Sequence, residues 1–382
     1  MINVVEVIPS LAMGGAESML RDYCMLMDKE RFRLTVVVLT EHKHTPIEEA
    51  LKKEGIRVIY IGEMLFGERS LLLPGRVIRR ISRYILFRRI ILNLTPDVIH
   101  MHLQIGKYMR FVPIKRLHSR IFLTVHNVSE KYFSTNKKER KKYSEYKEVY
   151  RLIHVYGMHL IALHDGLNAE LKELFNTEQV VTVNNGIMME RFSPDLYDKK
   201  SEREKLNISD NAVVIGHVGS MHPQKNHDLI IRVFEEFHKL YNNSVLLLIG
   251  NGELRDSILS VIRQKNLTET VVILSDRTDI PELMRTMDVF LFPSRWEGFG
   301  NVLIEAQCMN LPCVVSDAIS DAVRITDKVH VLGLDDDISK WVNEINDIVR
   351  EGKCGLPALK SKECYDMVNS AKMLEKIYEE VV

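Results

Sequence analysis

The 382-residue sequence is poor in cysteine, and its five, Cys24, Cys308, Cys313, Cys354 and Cys364, form no CxxC pair and no regular framework. That pattern excludes a disulfide scaffold and a thiolate zinc site and suits a reducing cytosol. Also lacking is any run near the roughly twenty apolar residues that a spanning helix needs. The opening segment, Met1 to Ile8, has neither a charged leader nor a cleavage site, so secretion and membrane insertion are not expected. Net charge is missing too: 52 Lys and Arg balance 52 Asp and Glu. The balance conceals a polarity, because residues 1–190 hold 29 basic against 21 acidic residues and the remainder holds 23 against 31. The excess comes from positions 51 to 150, where 22 bases face 8 acids. An anionic ligand or surface near that segment follows, and by charge alone lipid headgroups and nucleic acid both fit.

What is present is an ordinary water-soluble composition, 46% hydrophobic and 27% charged. The length exceeds what one hydrophobic core organises, so two domains are expected. Short β-branched runs recur, separated by helix-length spacers. One series comprises Asn3 to Ile8, Leu34 to Leu39, Val58 to Ile61, Val98 to His102, Phe122 to Val125, His159 to Leu163 and Val180 to Val183. A second comprises Val213 to Val218, Val245 to Ile249, Val271 to Leu274, Val289 to Phe292, Cys313 to Ser316 and Val329 to Leu332. Continuous rather than alternating apolar runs suit strands buried on both faces of a parallel sheet. The fold class expected is therefore α/β, with two Rossmann-like doubly wound domains. The seam falls between Asn185 and Asn211, where Phe192-Ser193-Pro194-Asp195 precedes the charged stretch Asp198 to Lys205, read as a linker. The first domain then spans 1–192, the second 205–364, and ligands belong at the carboxyl ends of strands, in a cleft between the domains.

Three glycine-containing turns carry chemistry. Gly14 and Gly15 follow the first strand and precede a helix starting near Ala16, which fits a backbone approach to a phosphate or hydroxyl, or simply a tight turn. Lys225, in Gly219-Ser220-Met221-His222-Pro223-Gln224-Lys225-Asn226, either pairs with a diphosphate or is a solvated loop lysine. Ser294-Arg295-Trp296-Glu297-Gly298-Phe299-Gly300-Asn301-Val302-Leu303-Ile304-Glu305-Ala306 turns from a strand into a helix whose amides can face an anion, with two carboxylates bracketing that position. Such carboxylates bind sugar or ribose hydroxyls through charge-assisted hydrogen bonds, or Glu305 is simply a buried acid in a capped helix.

Glu297 and Glu305, separated by seven residues in this context, resemble the signature of the retaining group 1 (family 4) glycosyltransferases of bacterial exopolysaccharide and capsule type. Gly14 to Glu17, Asn185-Gly186-Ile187 with Arg191-Phe192, Lys225-Asn226 and Gly250 to Leu254 extend the resemblance over nearly the whole chain. It implies a GT-B fold, metal-independent hexosyl transfer with retention, no cofactor, and a final helix, about 365–382, that packs back on the first domain. It also implies that Gly15, Ser220, Lys225, Asn226, Gly298, Phe299, Gly300, Asn301, Val302 and Glu305 serve the nucleotide-sugar donor. Glu297 would hold the transferred sugar, and His126, in Thr124-Val125-His126-Asn127, would lie near the reacting centre, although a lone histidine is equally a structural residue. Gly14, His100 and His102 would fall on the acceptor side. The expected donor is a UDP-sugar and the acceptor a glycan or lipid-linked glycan.

One departure stands out. Where the family has an arginine partnering the lysine on the diphosphate, this sequence has Ser220, and His217, His222 or Arg295 must compensate or activity is impaired. A transferase-like binding subunit needing a partner, and an epimerase or phosphorylase of the same fold, are the alternatives. Arg76, Arg79, Arg80, Arg83, Arg88 and Arg89 interleave with apolar residues at near-helical spacing, and Lys137 to Lys142 adds a second cluster. This basic region, 76–142, predicts contact with an anionic membrane and a peripheral location on the inner face of the plasma membrane. No nucleic-acid module accompanies it.

Overall fold

A computed structural model describes residues 1–66, 76–127, 129–352 and 365–381. Every anticipated strand forms. Seven make one sheet: β1 Ile2–Ile8, β2 Phe32–Val38, β3 Arg57–Tyr60, β4 Val98–His102, β5 Arg120–Val125, β6 His159–Ala162 and β7 Val180–Thr182. Six make another: β8 Val213–Val218, β9 Ser244–Ile249, β10 Val271–Leu274, β11 Val289–Phe292, β12 Cys313–Ser316 and β13 Val329–Leu332. All pairings are parallel, in the orders 3-2-1-4-5-6-7 and 10-9-8-11-12-13. Each sheet thus reverses direction once, at β1/β4 and at β8/β11, which is where a doubly wound sheet opens a ligand crevice.

The described residues divide into two compact units, Met1–Gly186 with Met367–Val382, and Ile187–Asp366. In the first, Val5, Val7, Ile99, Met101, Leu123 and Leu160 are buried between sheet and helices. In the second, Ile215, Leu246, Leu248, Val289 and Leu291 pack with Phe234, Phe237 and Trp341. Burial on both faces explains why these strands read as unbroken apolar runs.

The last helix, Met367–Val381, belongs to the first unit. Glu375 accepts the amide of Asp28 at 2.7 Å, Ser370 donates to the carbonyl of Asn184 at 2.7 Å, and Arg31 pairs with Glu379.

The charged stretch read as a linker is instead a helix, Lys199–Lys205, capped by Asp198. Arg203 is buried and donates to Asp288 Oδ2 at 2.7 Å and to the carbonyls of Thr286, Asp210 and Ala212, while Lys199 donates to Asp288 Oδ1 at 2.6 Å. These contacts make residues 199–205 part of the second unit. Of the cysteines, Cys24 and Cys313 are free, buried thiols, and Cys354 and Cys364 lie outside the described residues.

Candidate functional site

In the second unit, the loops after β8 and β11 emerge side by side at the switch point, and a dense set of contacts joins them. The amide of Arg295 donates to the Gln224 carbonyl at 2.8 Å, and Asn226 Nδ2 donates to the Pro293 carbonyl at 3.2 Å. Gln224 Nε2 reaches the Trp296 carbonyl at 2.8 Å and Glu297 Oε2 at 3.1 Å. Lys225 Nζ completes the set at 2.7 Å from Glu297 Oε1 and lies 4.7 Å over the Phe292 ring. Salt bridge and cation–π contact together fix the ammonium while leaving two of its three N–H donors for a ligand.

The loop after β9 holds this arrangement from behind. Met221 donates to the Asn251 carbonyl at 2.8 Å, Gly219 to that of Ile249 at 2.9 Å, and Leu254 to that of Met221 at 3.0 Å. Gly250, at φ +150°, lies so close that a Cβ there would sit 2.0 Å from the Gly219 oxygen. Only glycine fits. On the other side, Gly298 and Phe299 are buried, and Gly300, at φ +88°, begins the helix Asn301–Cys308 without offering a side-chain cap. The first-turn amides, those of Asn301 and Val302 among them, have no capping side chain at Gly300 and suit an anion. Glu305 is half-buried one turn further on.

Ser220 is exposed. Of the three groups expected to replace the missing arginine, His217 fails: it is wholly buried, one ring nitrogen lies 2.9 Å from the Leu291 carbonyl, and burial with His227 and Lys225 nearby holds it well below the usual histidine range. It is neutral. His222 is exposed, its Nδ1 accepting the Gln224 amide at 3.3 Å. Arg295 is exposed too, and its guanidinium donates to Asn226 Oδ1 at 3.0 Å, on the residue next to Lys225.

In the first unit, the helix Gly15–Leu26 starts one residue earlier than expected, with Gly14 as an N-cap that has no side chain to offer. Gly15 is exposed, and nothing crowds its α-carbon, so its backbone is accessible. Glu17 folds back over Gly14, and burial raises its carboxyl to about 7.

Beneath the β1/β4 switch point is a chain of polar side chains. His102 Nε2 lies 2.7 Å from Glu6 Oε2, and His102 Nδ1 lies 3.1 Å from His126 Nε2. His100 Nδ1 is 2.6 Å from the Tyr378 hydroxyl and its Nε2 is 2.7 Å from Thr124 Oγ1, while Tyr378 donates to Glu6 Oε1 at 3.0 Å. His100 and His102 are wholly buried, with both ring nitrogens of each facing protein groups. Neither can touch a ligand directly, whereas His126 is half-buried. Burial opposes ionisation of Glu6, but its contacts to His100 and His102 outweigh that and hold the carboxyl well below the usual range. Burial likewise pushes His102 down to about 4 and His126 well below its usual value. Glu6, His100 and His102 are close enough to share a metal ion, with one ligand atom each within 4.8 Å. Tyr378, Thr124 and His126 add further hydrogen bonds to the three, which joins them into one buried polar network.

Glu6 and Tyr378 are absent from the residues singled out by sequence. Glu6 had a legible signal, a lone carboxylate inside the apolar strand Val4-Val5-Glu6-Val7-Ile8. Tyr378, 372 residues away, had none.

Comparison with known proteins agrees with this architecture. The family model described as glycosyl transferases group 1 matches residues 198–363, and that of glycosyltransferase family 4 matches residues 13–191. The chain is 29% identical over 353 residues to the EpsF protein of Bacillus subtilis (strain 168), covering 90% of this chain and 86% of that one. It is 27% identical over 253 residues, 63% of this chain and 65% of the relative, to an Escherichia coli UDP-Gal:alpha-D-GlcNAc-diphosphoundecaprenol alpha-1,3-galactosyltransferase. Among solved structures, Anabaena Alr3699/HepE in complex with UDP and glucose superposes with a TM-score of 0.77 over 100% of both chains at 18% identity.

Proposed function

This chain belongs to the group 1, family 4 glycosyltransferases of GT-B fold, and we propose that within the family it is a retaining, metal-independent hexosyltransferase. Its donor on this reading is a UDP-sugar, and its acceptor a glycan or lipid-linked glycan of surface-polysaccharide assembly. The observation that carries the reading is the Lys225–Glu297 pair beside the helix start at Gly300. A cation and a set of first-turn amides match the diphosphate of a nucleotide sugar, and a carboxylate close by matches its hydroxyls.

In the proposed mechanism Lys225 and the amides of Asn301 and Val302 hold the diphosphate, and Asn226, Gly298 and Phe299 shape the loops around it. Glu297 holds the sugar and Glu305 the ribose. Arg295 takes the place of the arginine that Ser220 replaces. These charges stabilise the leaving diphosphate as the glycosidic bond breaks and the sugar becomes oxocarbenium-like. Retention then requires the acceptor hydroxyl to attack from the face the diphosphate leaves, passing its proton to the departing diphosphate as the new bond forms. In the first unit Gly15 serves the donor, Gly14 the acceptor side, and His126 the reacting sugar. His100 and His102 act through other side chains.

The membrane reading also belongs here. In the helix Arg76–Leu94, Phe87, Ile90 and Ile91 face the core, whereas Ile81 and Ile85 are 53% and 62% exposed and Arg88 and Arg89 are exposed beside them. The side chains of Arg76, Arg79 and Arg80 lie outside the described residues. Tyr84 packs against Tyr108 and edge-on against Phe111, and Phe111 is itself exposed. Exposed apolar side chains rimmed by arginines fit the interface of an anionic bilayer. Peripheral residence on the inner face of the plasma membrane follows, and no described helix is long and apolar enough to cross a membrane.

The test is thermal stability against a panel of nucleotides and nucleotide sugars, with Lys225→Ala and Glu305→Ala alongside. A ligand bound only by the folded state raises the midpoint. A shift with one nucleoside diphosphate, abolished in both variants, supports the donor site and names the base. No shift with any of them at millimolar concentration refutes it and favours a binding subunit that needs a partner.

A further inference from the structure

The proton positions in the buried chain of the first unit follow from what each group can do. The Glu6 carboxylate only accepts, so His102 must present N–H at Nε2, and the Tyr378 hydroxyl must point its proton at Glu6. His100 must then supply N–H to the phenol oxygen from Nδ1. Burial holds His102 down to about 4, so at neutral pH it is an uncharged imidazole with its proton on Nε2; its Nδ1 is then a lone pair, and His126 must donate to it from Nε2. A neutral His126 with its proton on Nε2 has a lone pair on Nδ1.

We propose that Glu6, acting through His102, fixes the tautomer of His126 so that Nδ1 is left to accept a hydrogen bond from a sugar hydroxyl, with Tyr378 of the final helix locking the carboxylate. The proposal rests on the assignment of His126 to the sugar site made above. Glu6, His102 and Tyr378 are positioning residues, since none reaches a ligand: Glu6 is 2% exposed and the other two are wholly buried. The arrangement has two consequences. His126 selects for a hydroxyl that donates, and it has no proton to give to a leaving group from that side. The polarity also propagates: inverting His102 forces His126 to invert, because two N–H groups or two lone pairs cannot face each other at 3.1 Å.

Ring ¹⁵N spectra of the full-length protein read the tautomer directly, with the His126 signals assigned by their loss in His126→Asn. The expected wild-type spectrum has a protonated-type Nε2 and an unprotonated-type Nδ1 at neutral pH. Glu6→Gln, whose amide can offer N–H to His102, is expected to reverse or average that pattern. Tyr378→Phe is expected to keep it, because the contact between Glu6 Oε2 and His102 survives. An Nδ1–H tautomer in the wild type overturns the proposal, as does a folded Glu6→Gln with an unchanged spectrum. If Glu6→Gln does not fold, the wild-type and Tyr378→Phe spectra decide.

Transfer assays separate the proposal from its premise. Folded Glu6→Gln is expected to lose about tenfold or more in kcat/KM. Wild-type transfer by His126→Ala refutes the role of His126 and leaves the tautomer result standing. Transfer lost in His126→Ala but unchanged in folded Glu6→Gln overturns the positioning role.

Discussion

Replacing Gly250 by alanine tests how the donor loop is held. The new Cβ would stand 2.0 Å from the Gly219 carbonyl oxygen and 2.8 Å from its carbon, both backbone atoms. Ordinary contact requires more than an ångström of additional separation. That movement endangers the Gly219–Ile249 and Met221–Asn251 hydrogen bonds, whose loss costs about 1 kcal/mol each. Alanine at φ +150° adds backbone strain of about 1 to 3 kcal/mol. A loss of about 3 to 5 kcal/mol in a unit of this size lowers the unfolding midpoint by about 6 to 20 °C. Gly55→Ala is the control: φ there is +72° but nothing lies within 4 Å, so only about 1 kcal/mol of strain applies. The assay is thermal unfolding of both variants, with and without the nucleoside diphosphate that stabilises the wild type. Gly250→Ala is expected to fall further than Gly55→Ala and to lose its ligand-induced shift. Equal midpoints for the two, or an unaltered ligand shift, would refute the steric argument.

Arg295→Ala is expected to slow transfer by about thirtyfold or more, and Ser220→Arg in that background to restore most of it. Steady-state rates of the four proteins in the cycle check this, and a change within twofold for Arg295→Ala removes the compensation. His227 is buried and pushed down to about 4, from 6.5, by burial and the nearby Lys225. The unfolded chain binds its proton first, so stability is full above pH 6.5 and declines by up to about 3 kcal/mol as pH falls toward 4. Unfolding midpoints across that window should be flatter in His227→Leu, and an unchanged slope contradicts the assignment. Ile85→Asp, alone and with Ile81→Asp, should weaken binding to vesicles containing anionic phospholipid by about tenfold or more while leaving transfer to a soluble acceptor intact. Flotation or sedimentation with vesicles measures it, and wild-type binding by the double variant dismisses that face.

The sheets were legible because parallel strands buried on both sides leave unbroken runs of apolar and β-branched residues, of which Leu34 to Leu39 and Val289 to Phe292 are examples. Thr35 is β-branched and buried like its neighbours, so it does not interrupt the first of these runs. The Glu297–Glu305 segment was legible for a related reason, since its chemistry is local: a strand end, a turn and a helix start within a dozen residues. Strand order was not legible, because pairings such as Val4 with Val98 depend on crossovers that no window spans. The stretch Lys199–Lys205 reads as a solvated linker because the partner that buries Arg203, Asp288, is 85 positions away. His217 reads as a spare cation for the same reason: only the fold shows that it is enclosed between Phe290 and Phe292 on one sheet. The polar chain through Glu6 was half visible, as a carboxylate misplaced in an apolar strand, and its other half comes from the far end of the sequence.

That last contact also orders events during synthesis. The first unit is the one finished last, because Tyr378, with the buried Met367, Ala371 and Leu374, leaves the ribosome only after all of residues 187–366. At about 5 to 20 residues per second, the nascent first sheet waits roughly 10 to 40 seconds for the helix that covers Glu6. A chain cut short anywhere in the second unit lacks that helix, so completion of this site reports that translation has passed the whole of the second unit.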